Sequence, residues 1–115
     1  MFGKGGPESY KTILPGIRMK TLCYGQRTLM TEFLLERAST LPLHRHPHEQ
    51  TGYLIKGCIR LTIGDETREA RPGDSWCIPA EVEHGAYSTE NAVVIEVFSP
   101  VREDYLPLGS QSPEQ

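Results

Sequence analysis

The feature that most limits what this chain can become is how often it is interrupted. Beyond Gly57, turn-forming residues recur at Gly64-Asp65, at Arg71-Pro72-Gly73-Asp74, at Pro79 to Glu83 and at Thr89-Glu90-Asn91. Glycine, proline, aspartate and asparagine are the residues that tight turns require. The segments left between these turns are too short for helices of ordinary length. They alternate instead, with Ile59, Leu61 and Ile63 facing one way and Arg60 and Thr62 the other, which is the period of a half-buried strand. The segments SWCIPA, HGAYS and VVIEVFS continue the series. Upstream, GIRMKTLCY alternates as well, and Gly25-Gln26 turns it. TLMTEFLLERAS also fits helical spacing through Leu29, Met30, Phe33 and Leu34, but no N-cap residue starts a helix there and its neighbours are strands, so it reads as strand. Strands spaced roughly 8 to 12 residues apart with almost no helix indicate an all-β sandwich or barrel.

At 115 residues the chain suits one domain with a single modest core. That domain is expected over residues 11–108, between a flexible Gly-rich lead at 1–10 and a flexible tail at 109–115. The formal charge of −3 supplies no basic stripe, so nucleic acid is not an expected partner. No apolar run approaches the roughly 18 residues of a membrane span, and the lead lacks a hydrophobic signal core. The expected setting is cytoplasmic, with a small molecule as the ligand. A homodimer formed through barrel edges would cover strands that an open sheet leaves unpaired. Cys23, Cys58 and Cys77 are odd in number and form no C-x-x-C pair, which fits reduced cysteines packed as small hydrophobes.

The chemistry concentrates in LPLHRHPHEQ, where His44, His46 and His48 fall within five positions and Gln50 follows. Residues two apart on a strand share a face, so His44 and His46 can aim both imidazoles at one point. Pro47 ends regular pairing and bends the chain, which lets His48 or Gln50 return to the same centre. The alternative for the cluster alone is a group of surface histidines. Far along the chain, RPGDSWCIPAEVEHGAYS delivers one more histidine, His84, after a Gly-Asp turn, a short apolar strand and a Pro-bearing turn.

In this pairing of stretches the chain resembles the cupin family. His44, His46, Gln50 and Gly57 fall on its first motif, G-x5-H-x-H-x3,4-E-x6-G, and Gly73, Pro79 and His84 on its second, G-x5-P-x-G-x2-H-x3-N. Ala38 stands where the first motif has its leading glycine, Gln50 where it has glutamate, Glu81 where the second has its inner glycine, and Ser88 where it has asparagine. The resemblance implies a small double-stranded β-helix, a jelly-roll barrel, with a divalent transition metal inside held by His44, His46, Gln50 and His84, His48 being the other candidate for the fourth place. Nickel, iron, manganese and zinc all suit such donors. With an amide in place of glutamate, three neutral imidazoles leave the ion its full +2 charge, which makes it a stronger Lewis acid and a better host for an anion.

The last strand, VVIEVFSPVREDYL, sets Glu96 among apolar residues on the face shared with Val94 and Phe98. Such a carboxylate either meets solvent, pairs with a cation, or has a raised pKa suited to acid-base work. Arg102, six positions on, is placed to pair with Glu96 or to grip a substrate carboxylate. HPHEQ, PGDSW, HGA and FSPVREDYL together resemble the KdgF type of cupin, the pectin-degradation proteins that open the ring of unsaturated monouronates. That likeness implies a catalytic Glu96 and Arg102, with Phe98 beside the ring. In that type the acid is usually aspartate, so Glu96 adds a methylene. Trp76 is either plain core or a wall on which a sugar stacks, and Tyr53 is a further candidate contact. Two other functions fit the same residues, a metal-dependent dioxygenase and a non-catalytic sugar- or metal-binding module.

Overall fold

A computed structural model describes residues 1–107. The described residues form ten strands and one short 3-10 turn, Glu103–Tyr105. In chain order the strands are β1 (Lys11–Leu14), β2 (Ile17–Tyr24), β3 (Leu29–Leu35), β4 (Thr40–His44), β5 (Glu49–Lys56), β6 (Ile59–Ile63), β7 (Glu66–Ala70), β8 (Ser75–Ile78), β9 (His84–Ser88) and β10 (Ala92–Ser99). They build two antiparallel sheets, one ordered β1-β2-β3-β10-β5-β8 and the other β4-β9-β6-β7. This is the all-β architecture that the turn spacing predicts, in the jelly-roll form that the resemblance implies, and the ambiguous segment around Phe33 is strand β3.

β10 shows why the sheets close on each other. Ala92, Val94, Glu96 and Phe98 are buried while Val93, Ile95 and Val97 are only half-buried, so period-2 alternation sends one set into the space between the sheets. Phe98 joins Ile17, Met19, Leu29, Phe33 and Leu54 there in one apolar cluster. Burying a side chain of that size stabilises by about 1.5–3 kcal/mol. β10 lies at the middle of the larger sheet, paired with β3 on one side and β5 on the other. Glu96 is therefore carried to the interior by the same alternation that buries its apolar neighbours.

Residues 1–10 contain no strand and make contacts with β2 and β3. The buried Lys20 donates through Nζ to the carbonyls of Lys4, at 3.2 Å, and Gly6, at 3.0 Å, and the Tyr10 hydroxyl donates to Glu32. The expected tail at 109–115 lies outside the described residues. No helix among the described residues is long and apolar enough to cross a membrane.

Candidate metal centre and active site

Three separate stretches bring the histidines together. His44 ends β4 and is the cross-strand partner of His84, which begins β9. The two rings lie 4.2 Å apart between centroids. A bulge interrupts β4 between Leu41 and His44, and Gly85 makes room for it: a Cβ there would sit 2.8 Å from the Leu41 carbonyl oxygen. His46 follows in the turn after β4 rather than on the strand itself, so the bend at Pro47 decides its direction. Its ring centroid is 4.8 Å from that of His84. One ring nitrogen from each of His44, His46 and His84 lies within 4.8 Å of the others.

The tautomers are set by backbone. The Nδ1–H of His44 donates to the Pro42 carbonyl at 2.9 Å, that of His46 to His48 at 3.1 Å and that of His84 to Val82 at 2.9 Å. A neutral imidazole has one N–H, so each Nε2 is left with a lone pair. Burial lowers the pKa of His46, and for His84 it lowers it to about 4, which keeps both rings neutral as ligation requires. His84 Nε2 is buried and has no hydrogen-bond partner among the described residues. His46 Nε2 faces Gln50 Oε1 at 3.0 Å. With the His46 proton spent on Nδ1, these are two acceptors facing one another, an arrangement that a cation beside both would satisfy. About 3 Å is also the separation of two adjacent donors that each sit about 2.1 Å from one ion at a right angle. The donor set of His44, His46, His84 and Gln50 therefore fits a divalent transition metal. Gln50 is buried and points inward from β5. His48 is not in the cluster. Its ring packs edge-on against His46 with centroids 5.4 Å apart, while its carbonyl holds His46 in place.

Glu96 lies in the same interior. Space open to water centres amounts to about 50 Å³ there, bounded by His44, Gln50, His84, Glu96, Phe98 and Arg102 among others. Of the three states open to this carboxyl group, solvent exposure and pairing with a cation do not apply among the described residues. Glu96 is 8% exposed and pairs with no cation among the described residues. Burial pushes it up to about 8, against the smaller opposing influence of the Gln50 amide and the Trp76 indole. Arg102 instead pairs with Asp104, its Nε and Nη2 donating to the two carboxylate oxygens at 3.2 and 2.9 Å. The guanidinium lies 4.0 Å from the centroid of the Tyr105 ring and 5.1 Å from that of Phe98. Arg102 thus stands between the inner cavity and an outer cleft of about 550 Å³ that His44, Asp104, Tyr105 and Lys11 also line.

The remaining candidates divide. Phe98 is 1% exposed and sits beneath His46, with ring centroids 5.9 Å apart, so it forms the apolar floor of the site. Trp76 is half-buried against the core. Tyr53 is 46% exposed on the outer face of β5 and is not brought together with the other residues. Its separation from Gln50 is odd, and on a strand an odd separation means opposite faces. That parity was available in the sequence. Three non-glycine residues, Ser9, Ala38 and Glu81, have positive φ among the described residues. Ala38 and Glu81, at the positions of motif glycines, have φ of 70° and 67°, the left-handed region that glycine adopts without cost. From that conformation the Glu81 N–H donates to the His46 carbonyl at 2.8 Å, which ties the second motif to the first.

Comparison with known proteins agrees with this geometry. A family profile described as Cupin domain matches residues 31–98. The pectin degradation protein KdgF of Dickeya dadantii (strain 3937) is 29% identical over 93 residues, which span 79% of this chain and 84% of that protein. The structure of KdgF from Halomonas sp. superposes with a TM-score of 0.87 at 29% identity, covering 92% of this chain and 98% of that one. An RmlC-like cupin from Shewanella frigidimarina NCIMB 400 gives a TM-score of 0.87 at 25% identity, covering 91% and 95%.

Proposed function

The chain belongs to the cupin family, and from that premise we propose that it opens the ring of 4,5-unsaturated monouronates in a metal-dependent reaction. The observation that carries this reading is the buried carboxyl group of Glu96, which faces the same small cavity as the histidine cluster, with Arg102 at the outlet. The relation to the pectin degradation protein KdgF supports the substrate class. A divalent ion held by His44, His46, His84 and Gln50 would supply Lewis acidity, at an undiminished +2 charge that favours an anionic sugar acid.

The protein's own residues do the rest. In the ring-opening isomerisation the bond between C1 and the ring oxygen breaks, the C1 hydroxyl gives up its proton as the aldehyde forms, and the released enolate takes a proton at C4 to become the ketone. One proton moves, and no water is consumed. Glu96 is the group that accepts and returns it, because a carboxyl group pushed up to about 8 can exist in both states near neutral pH. Arg102, already oriented by Asp104 and by the Tyr105 ring, holds the sugar carboxylate at the mouth of the cavity. Phe98 closes the floor and keeps bulk water away from the reacting atoms.

Purified protein loaded with a divalent metal is expected to speed the loss of enol absorbance of unsaturated galacturonate or mannuronate. Glu96→Gln should lower that rate by roughly 10² to 10⁴, the usual range for a general acid-base group. Absence of acceleration, with metal content confirmed, overturns the proposal. Ring opening uses no oxygen, so oxygen consumption coupled to turnover would instead identify a dioxygenase.

A further inference from the structure

Trp76 is the only tryptophan in the chain, and the reaction above makes no use of it. β10, β5 and β8 set Glu96, Gly52 and Trp76 in one line across the larger sheet as successive paired residues. A Cβ placed on Gly52 would lie 2.1 Å from Trp76 Nε1 and 2.6 Å from Glu96 Oε1. The indole nitrogen and the carboxyl oxygen thus share the space that any other residue at 52 would fill. Both atoms are buried without an assigned hydrogen-bond partner among the described residues. One is a donor only and the other an acceptor, and an unpaired buried polar group is costly, so each supplies what the other lacks.

We propose that Trp76 is a positioning residue, its indole N–H being the donor that holds the Glu96 carboxyl group over Gly52 and turned toward the cavity. The effect on turnover rests on Glu96 being the proton-transferring group, whereas the contact itself stands apart from that reading. The role also differs from a wall for sugar stacking. Phenylalanine would preserve stacking and abolish the N–H.

A single tryptophan gives a single indole N–H resonance in nuclear magnetic resonance, so the contact can be read without any substrate. In Glu96→Met, which keeps the chain length and removes the acceptor, that resonance should move and its exchange with solvent should quicken by about tenfold, as expected for loss of one buried hydrogen bond. Should Glu96→Met fail to fold, Glu96→Gln should move the resonance by a smaller amount, because an amide oxygen still accepts from the indole where a thioether sulfur does so only weakly. A resonance that neither variant moves overturns the proposal. In turnover, Trp76→Phe should lower kcat about tenfold at nearly constant KM and displace the pH profile, the pattern of an interaction made in the transition state. An unchanged kcat and pH profile would refute the positioning role. If the parent protein shows no turnover of uronates, the functional reading falls while the indole measurement still decides the contact.

Discussion

The buried carboxyl group of Glu96 makes a thermodynamic prediction that needs no substrate. Burial carries it from the ordinary 4.5 up to about 8 in the folded protein. The native state therefore holds this proton more tightly than the unfolded chain does. Stability from this group is fully present below about pH 4.5, declines as the unfolded chain ionises, and is lost once pH has risen through about 8. At about 1.36 kcal/mol per pH unit the total is roughly 5 kcal/mol, comparable with the whole stability of a small domain. Glu96→Gln keeps the shape and cannot ionise. In metal-free protein, urea unfolding of variant and parent should give similar stabilities near about pH 5, with the variant gaining several kcal/mol by about pH 8.5. His84 acts in the opposite sense, since its lowered pKa makes stability rise with pH between about 4 and 6.5. It is common to both proteins and drops out of the difference. A difference that stays level within about 1 kcal/mol over that range refutes the view that Glu96 is held protonated by burial.

Other residues make further predictions. His84→Ala should lower metal affinity by more than the roughly 10- to 100-fold typical of losing a group that only supports a ligand, as read by competition with a chelator. Gln50→Glu should tighten metal binding while raising KM for an anionic substrate about tenfold, because the site falls from +2 to +1. Arg102→Lys gives up the two-pronged pairing with Asp104 and the stacking on Tyr105, and kcat/KM should fall roughly 10- to 100-fold. Ala38→Gly relieves a left-handed residue, and the gain, offset by the greater freedom of unfolded glycine, should be about 0.5–1 kcal/mol in thermal unfolding.

The parts of the fold that could be read in advance are those governed by local chemistry. Turn residues at Gly64-Asp65 and Arg71 to Asp74 lie where β6 passes to β7 and β7 to β8, and the alternation in β10 separates two faces correctly. Which of those faces looks inward is a tertiary fact. For this reason Glu96 kept three possible states until its neighbours were known. The choice of Asp104 as partner for Arg102 depends on the 3-10 turn at Glu103–Tyr105, which has no strong sequence signature. β1 escaped notice because Lys11 to Leu14 is only four residues long and half polar. The requirement for glycine at position 52 arises from two side chains on other strands converging there, something no local pattern announces. Ala38 and Glu81 gave the reverse difficulty, since ordinary residues occupy positions whose backbone is left-handed.

The metal centre is tested most directly by a crystal structure of metal-loaded protein with the ion located by its anomalous scattering. One ion per chain is expected, ligated by the Nε2 atoms of His44, His46 and His84 and by the side-chain oxygen of Gln50, with the Glu96 carboxyl group in the adjoining cavity and outside the ligand set. An ion bound elsewhere, ligation through Nδ1, or a Gln50 side chain turned away from the ion would contradict it.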